Sequence, residues 1–187
     1  MKLIYKGKFN GDVDSIPHGE HKPNAVKFKE PEDPKKLGLI ANGIAVVVAM
    51  IAVFGVILRG GITSFSVLGV LFSYLTLFPH EILHALCFKD EVYLHTNLKN
   101  GILFVTGPED MSKSRFVFMS LLPNIVFGFI PYILFMINPQ WKMLSTFGAT
   151  CISMGAGDYL NCFNAMIQMP KGARTYLHGF NSYWYMP

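Results

Sequence analysis

One short motif in the sequence combines residue types and spacing that could do chemistry: the HExxH pattern of His80, Glu81 and His84. Two histidines four positions apart lie on one face of a helix, about one turn from each other. Both imidazoles can therefore bind one divalent metal ion, most often zinc. Glu81 is placed to take a proton from a metal-bound water, as a general base does. The motif predicts a metal site of hydrolytic type.

The motif lies inside an apolar run, with residues 71–77 before it and 86–88 after it. Imidazole and carboxylate groups are costly to bury in such surroundings without a partner. An accidental pattern in an ordinary buried helix would leave that cost uncompensated. The context therefore favours metal binding.

The composition points to a membrane protein. The chain has 187 residues, of which 51% are hydrophobic and only 15% are charged, and its mean hydropathy is positive. Such values are typical of a bilayer protein rather than a soluble globule. The net charge of +4 calls for no nucleic-acid partner. The three cysteines form no CxxC pair, so we expect neither a disulfide framework nor a cysteine metal site.

Four apolar runs are each long enough to cross a hydrocarbon core of about 30 Å. They comprise residues 37–58, 62–88, 116–137 and 141–169. The predicted fold class is therefore an all-α membrane protein with four transmembrane helices. The second run contains Pro79, which is expected to kink the helix immediately before His80 and to start a fresh helical segment.

A small β-hairpin is expected between the second and third helices. Residues 91–96 and 102–106 are rich in strand-forming side chains, and Asn100-Gly101 between them is a turn signal. The predicted hairpin therefore covers about 91–106. An extended peptide could pair with its edge by strand addition.

The Lys and Arg residues are distributed unevenly along the chain. Eight precede the first run, four lie in the hairpin loop and two in the tail, while the other connections hold only Arg59 and Lys142. The positive-inside rule then predicts that both termini and the hairpin are cytoplasmic. The predicted domains are a polar cytoplasmic segment at 1–36, a four-helix domain at 37–169 and an aromatic cytoplasmic tail at 170–187.

A catalytic zinc needs a third protein ligand besides two histidines. The extended HExxHxxGxxH signature does not supply one, because Cys87 and Asp90 occupy its glycine and third histidine positions. Asp158 is the stronger candidate, since an acidic group inside a membrane span is a functional hypothesis by default. The alternative is that Asp158 is a structural polar group, protonated or hydrogen-bonded to a neighbour. Glu109 is the second candidate, although it lies beside Asp110 in a charged loop, where a solvated pair of carboxylates is the usual outcome.

Asn161 follows Asp158 by about one helical turn. Its amide could orient the Asp158 carboxylate or a substrate carbonyl, and hydrogen bonding between helices is the alternative.

These motifs carry a family resemblance. Residues 79–85 at the end of one span, a polar hairpin, and residues 155–161 in a later span resemble the putative zincin peptidases, small bacterial integral-membrane proteins. The layout is similar, more distantly, to the site-2 intramembrane metalloproteases, in which an HExxH helix and a later aspartate share a zinc. The resemblance implies His80, His84 and Asp158 as Zn²⁺ ligands and Glu81 as the catalytic carboxylate.

Pro123-Asn124 resembles the Pro-Asn step that site-2 proteases carry after their hairpin, which implies a substrate-positioning role for Asn124. The glycine before that step is absent here, as is the Asn-Pro-x-Pro-x-Asp-Gly sequence around the aspartate. Substrate choice is therefore not carried over from the site-2 group.

The leading functional hypothesis is a zinc-dependent peptidase that cleaves a peptide bond in or beside the bilayer of a bacterial cell. Its expected partners are a membrane protein or peptide substrate and the lipid bilayer. The alternative is a non-proteolytic membrane scaffold or regulatory protein whose metal is structural. Metal sensing or transport is less favoured, because the spans lack the row of polar groups that marks an ion path.

Overall fold

The computed structural model describes residues 1–12, 16, 18, 20–31, 33–97, 102–179 and 181–187. The helices, in chain order, are α1 (Pro34–Gly60), α2 (Val67–Leu75), α3 (Leu77–Leu86), α4 (Lys113–Pro123), a π-helix (Asn124–Phe129), α5 (Ile130–Ile137), α6 (Lys142–Met154) and α7 (Ala156–Gln168), with a 3₁₀ turn at Ile62–Ser64. The strands are β1 (Lys2–Lys8), β2 (Val26–Lys27), β3 (Glu91–Asn97), β4 (Ile102–Thr106), β5 (Met111–Ser112), β6 (Arg174–His178) and β7 (Asn181–Tyr185).

The prediction of an all-α protein with four transmembrane helices is wrong. Of the residues that the structure describes, 57% are helical and 19% form seven strands in two sheets. Within the described residues, two helices are long and apolar enough to cross a membrane, Lys35–Gly60 and Lys113–Ile137. A third span is counted only if α2 and α3, which meet at an angle of 44°, act as one.

The fourth predicted span fails because the run at 141–169 is not one helix. It is divided at Gly155 into α6 and α7, each of 13 residues. At 1.5 Å per residue each half covers about 20 Å, too little to cross a hydrocarbon core of about 30 Å. The polar side chains of α7 lower the hydropathy of the second half further. They are Asp158, Asn161, Asn164 and Gln168.

The bend in the second predicted span lies at Thr76, three residues before Pro79. Pro79 is the third residue of α3, in the first helical turn, where its missing N–H would have had no partner within the helix. The fresh helical segment expected before His80 is present, but it begins at Leu77.

The chain divides into two compact units. The strand unit comprises Met1–Glu32, Glu81–Met119 and Asn161–Pro187, and the helical unit comprises Asp33–His80 and Ser120–Leu160. The divisions after His80, Met119 and Leu160 fall inside continuous helices.

The strand unit contains both sheets. In the first, with strand order β1-β3-β4, β1 runs parallel to β3 and β4 runs antiparallel to it. The pair β3–β4 supplies the two strands of the predicted hairpin, whose Asn100-Gly101 turn lies outside the described residues. In the second, with order β2-β7-β6-β5, all neighbours are antiparallel. The core of this unit is built around Phe28, Ala85, Val92, Met111 and Met169.

The helical unit is organised around α6, which contacts α1, α2 and α5. Its core consists of Ala52, Val56, Phe135 and Ala149. The helices approach closely where glycine replaces a larger residue: a Cβ at Gly148 would lie 2.6 Å from the backbone nitrogen of Tyr132. Buried hydroxyl groups also join the helices. Ser145 Oγ donates to Ser64 O at 2.6 Å, and Thr146 Oγ1 donates to Ser66 O at 2.6 Å.

Candidate metal centre

Helix α3 carries the three groups of the HExxH motif. The potential ligand atoms of His80, Glu81 and His84 all lie within 4.8 Å of one another. Among the residues that the structure describes, no other set of three or more His, Cys, Asp or Glu side chains meets this criterion. His80 and Glu81 are half-buried and His84 is buried. The group could therefore hold a metal ion.

A backbone carbonyl orients the His84 ring. His84 Nδ1 lies 2.9 Å from Met119 O. A carbonyl oxygen can only accept, so Nδ1 carries the proton and donates it. In the neutral ring the lone pair is then on Nε2. Histidine ligands of metals are commonly oriented in this way, through a hydrogen bond from their other ring nitrogen.

Glu81 lies beside an edge of the first sheet. Its Oε2 accepts a hydrogen bond from Val105 N at 3.1 Å. Val105 belongs to β4, which is an outer strand in the order β1-β3-β4. Since the Val105 N–H is directed to Glu81, it points away from the ladder with β3. The carboxylate of the motif is therefore held at the outer edge of this sheet.

Asp158 and His80 meet within the helical unit. Asp158 lies in the first turn of α7, where the helix dipole favours a negative charge. Its Oδ2 is 3.2 Å from His80 Nε2, and the two side chains are only 14% and 17% exposed. Asn124 Nδ2 donates to the same carboxylate oxygen at 2.7 Å. The structure thus brings together three of the residues that were singled out from the sequence.

Glu109, the second candidate ligand, is engaged elsewhere in the strand unit. It accepts hydrogen bonds from Arg115 Nη1 and from the backbone amide of Lys89, the latter at 2.7 Å. Burial alone would raise the pKa of Glu109, but the Arg115 and backbone hydrogen bonds outweigh burial and hold that pKa below its usual value. Glu109 is therefore an ionised partner of Arg115.

Arg115 has a supporting role that the sequence did not reveal. Besides Glu109, it contacts the Cys87 carbonyl oxygen through Nε at 2.9 Å and through Nη2. Cys87 directly follows the last residue of α3. Arg115 therefore fixes the carboxyl end of the motif helix. A basic residue near an acidic one in a loop is too common a pattern to predict this contact.

The two asparagines differ in their surroundings. Asn124 is 1% exposed and faces Asp158, whereas Asn161 is exposed on α7. A substrate contact by Asn161 remains a prediction.

Comparison with known proteins decides the family. Residues 73–174 match the family described as putative zincin peptidase. The chain belongs to this family. The matched range is more than half of the chain and contains the HExxH motif together with Asn124 and Asp158. Membership supports a metallopeptidase at a coarse level. No curated protein and no solved structure matches, and a similarity to the site-2 metalloproteases is not shown.

Proposed function

We propose that this family member is a zinc-dependent peptidase embedded in a membrane, with His80, His84 and Asp158 as metal ligands and Glu81 as general base. The observation that carries the proposal is the 3.2 Å separation of His80 Nε2 and Asp158 Oδ2; Asp158 contacts His80 and is not one of the three groups that lie within 4.8 Å of one another. Two ligand atoms about 2.0–2.1 Å from a tetrahedral zinc lie about 3.3 Å apart. The donor set, two imidazoles and a carboxylate, is also one that catalytic zinc sites use.

The residues around the proposed ligands account for the chemistry. Bound zinc would supply Lewis-acid activation of a water molecule and of the scissile carbonyl. Glu81 takes the proton of the attacking water and passes it to the leaving amine. The hydrogen bond from Val105 N keeps this carboxylate in one orientation before the reaction. Met119 O orients His84, so the ring presents the nitrogen suited to metal binding.

The edge of β4 supports an extended peptide as substrate. Val105 N–H lies at this edge and is bonded to the catalytic carboxylate. A peptide that adds to β4 as a further strand would therefore pass next to Glu81. A transmembrane substrate helix would have to unwind first, because its peptide bonds are shielded by their own hydrogen bonds. The proposed partner is a membrane protein or peptide with a segment that can become extended.

The apolar surface of α1 supports placement in a membrane. Leu39, Ile51, Phe54 and Leu58 are each more than 60% exposed on this 27-residue helix. Exposed apolar side chains along a helix of this length suit contact with lipid. We propose a bacterial cell membrane, with the Lys- and Arg-rich segments of the chain on the cytoplasmic side.

Metal content and proteolysis, measured together on the full chain in detergent, test the proposal. Wild type, His80→Ala, Glu81→Gln and Asp158→Ala are compared for bound zinc by elemental analysis and for cleavage of a panel of membrane-protein and peptide substrates. Glu81→Gln should retain zinc and lose cleavage, because the metal ligands remain and the base is removed. His80→Ala and Asp158→Ala should lose both. Cleavage by Glu81→Gln at the wild-type rate would refute the proposed base.

The same variants distinguish the alternative of a non-proteolytic scaffold with a structural metal. The contact between Glu81 and Val105 N is the observation that favours it, because it gives Glu81 a structural partner. A scaffold would show no proteolysis in wild type, would keep its biological output in Glu81→Gln, and would lose fold and output together in His80→Ala.

A further inference from the structure

Asn124 is held by three hydrogen bonds inside the helical unit, one of them accepted by its Oδ1 from the Tyr159 hydroxyl at 3.4 Å. Its Nδ2 donates to Asp158 Oδ2 at 2.7 Å and to Ser120 O at 3.2 Å. A carboxylate and a carbonyl can only accept, so the amide nitrogen must face both of them. The side chain is only 1% exposed, so bulk solvent does not compete for these bonds. Asn124 therefore fixes the position of one Asp158 oxygen.

The chain makes room for this amide at Gly155. A Cβ at position 155 would lie 1.6 Å from Asn124 Oδ1 and 2.3 Å from its Cγ. Because the Asn124 side chain is held by these three bonds, it could not move aside without losing them. Gly155 also ends α6, three residues before Asp158. Only glycine at this break lets the amide reach the carboxylate.

Pro123, immediately before Asn124, affects a second proposed ligand. In an α-helix the N–H of residue 123 would donate to the carbonyl of residue 119. Proline has no N–H, so Met119 O lacks this helical donor. Met119 O is the same carbonyl that accepts the hydrogen bond from His84 Nδ1. Pro123 thus leaves the Met119 carbonyl oxygen available to accept the hydrogen bond from His84.

The backbone changes its geometry at the same point. The six residues Asn124–Phe129, directly after Pro123, form a π-helix. Such a wider turn changes the direction in which the residues project, and π-turns occur frequently at functional sites. Here the change of helix type coincides with the residue that reaches Asp158.

We propose that Pro123-Asn124 is a positioning element of the metal centre, in which Pro123 leaves the Met119 carbonyl to orient His84 and Asn124 holds Asp158. This inference rests on the proposed function, since it takes both residues as metal ligands. It gives Asn124 a different role from the substrate contact that the family resemblance implied.

Zinc affinity of the full chain in detergent tests the element. It is measured by competition with a chromophoric chelator in wild type, Pro123→Ala and Asn124→Leu, together with the melting temperature of the metal-free protein. Asn124→Leu keeps the side-chain size but removes the donor, and it should weaken zinc binding by about 10–100-fold. Pro123→Ala restores a competing N–H. It should weaken binding by about 10-fold, since the carbonyl can still accept two donors.

Stability separates positioning from simple structural damage. Alanine is more favourable than proline in a helix interior. The melting temperature of metal-free Pro123→Ala should therefore be no lower than that of wild type, although the variant binds zinc more weakly. The matched controls are Pro131→Ala, in the same long helix, and Asn164→Leu, at a buried asparagine that bonds Gln168. Neither should change zinc affinity. The visible spectrum of the Co²⁺-loaded protein should change in Asn124→Leu and not in Asn164→Leu, because that spectrum reports ligand geometry.

The outcomes separate this inference from the proposed function. Wild-type zinc affinity in both Pro123→Ala and Asn124→Leu would overturn the positioning element and leave the metal site intact. A wild-type protein that binds no zinc would overturn both. Weakened zinc binding in a protein that cleaves no substrate would support the element and count against the peptidase.

Discussion

Substitution of Arg115 by Met tests the attachment of the motif helix at its carboxyl end. Arg115 bonds the Cys87 carbonyl through two of its nitrogens and Glu109 through the third. Methionine retains an apolar stem of similar length and removes all three bonds. Glu109 would keep the amides of Lys89 and Asp90 as donors.

The expected cost follows from burial. The Glu109 side chain is 9% exposed and that of Arg115 is 23% exposed. Removing one partner of a fully buried pair costs about 3–5 kcal/mol. The two remaining amide donors reduce this, so we expect a loss of about 2–3 kcal/mol in the free energy of unfolding. For a chain of this size the melting temperature should fall by roughly 4–12 °C. Glu109→Gln should cost less, about 1 kcal/mol, because the amide oxygen still accepts.

The pH dependence has a definite sign. The pKa of Glu109 in the folded protein is lower than its usual value, so ionised Glu109 stabilises the fold at neutral pH. As the pH falls below about 4.3, the unfolded chain takes up a proton before the folded one does. The stabilisation is lost as the pH falls through the folded pKa. The difference in melting temperature between wild type and Arg115→Met should therefore be largest near neutral pH and shrink in acid.

Thermal unfolding of the metal-free chain, followed by intrinsic fluorescence in a nonionic detergent at several pH values, measures both effects. Lys171→Met, which removes an exposed cation, is the control and should leave the melting temperature unchanged. Arg115→Lys keeps the positive charge but lacks the several N–H donors of the guanidinium group, so its melting temperature should lie between those of wild type and Arg115→Met. A melting temperature of Arg115→Met equal to that of the control, or a difference that grows in acid, would refute the reasoning.

Two further substitutions test single contacts. Val105→Pro removes the N–H that donates to Glu81, at a sheet edge where proline is tolerated. It should leave the zinc content unchanged and lower the rate of cleavage at least about 10-fold. Val105→Ala is its control, and equal cleavage by the two variants would show that the contact is dispensable. Asp110→Asn weakens the bidentate pair with Arg174, which holds the pKa of Asp110 below its usual value. Because both side chains are partly exposed, the loss should be about 1 kcal/mol near neutral pH. It should shrink once the pH falls below about 3.9 toward the lowered pKa of folded Asp110, as melting curves would record. A difference that grew in acid would contradict the assignment.

The local part of the candidate site could be predicted from the sequence, because it depends on helical spacing alone. His80 and His84 are four residues apart, and any helix brings them onto one face. The contact of Asp158 with His80 spans 78 residues, yet the sequence indicated Asp158, because a lone acid in an apolar run needs a partner. The roles of these residues as metal ligands stay predictions.

Beyond the β3–β4 hairpin, which the sequence predicts, the sheets could not be predicted, because pairings such as β1 with β3 and β2 with β7 are non-local. Lys2 of β1 pairs with Glu91 of β3, and β1 is largely exposed, so it shows no alternation of apolar and polar residues. Four aromatic residues of the tail lie in β6 and β7, where Tyr176 packs against Tyr183; they are Tyr176, Tyr183, Trp184 and Tyr185. Similarly, no local feature of the sequence showed whether Glu109 is an ionised partner of Arg115 or a metal ligand.

The motif helix α3 has only ten residues, and its two ends are fixed by different means. At the amino end, His80 N donates to Thr76 O at 2.7 Å across the bend. At the carboxyl end, Arg115 binds the carbonyl of Cys87. A ten-residue helix is marginal in isolation, so its position depends on these contacts. The contact at the amino end is between backbone atoms and survives substitution of Thr76, whereas the contact at the carboxyl end depends on the Arg115 side chain. Since a metal site requires its ligands to be held within about 0.5 Å, Arg115→Met should lower zinc affinity, as competition with a chelator would measure, although Arg115 is not a proposed ligand.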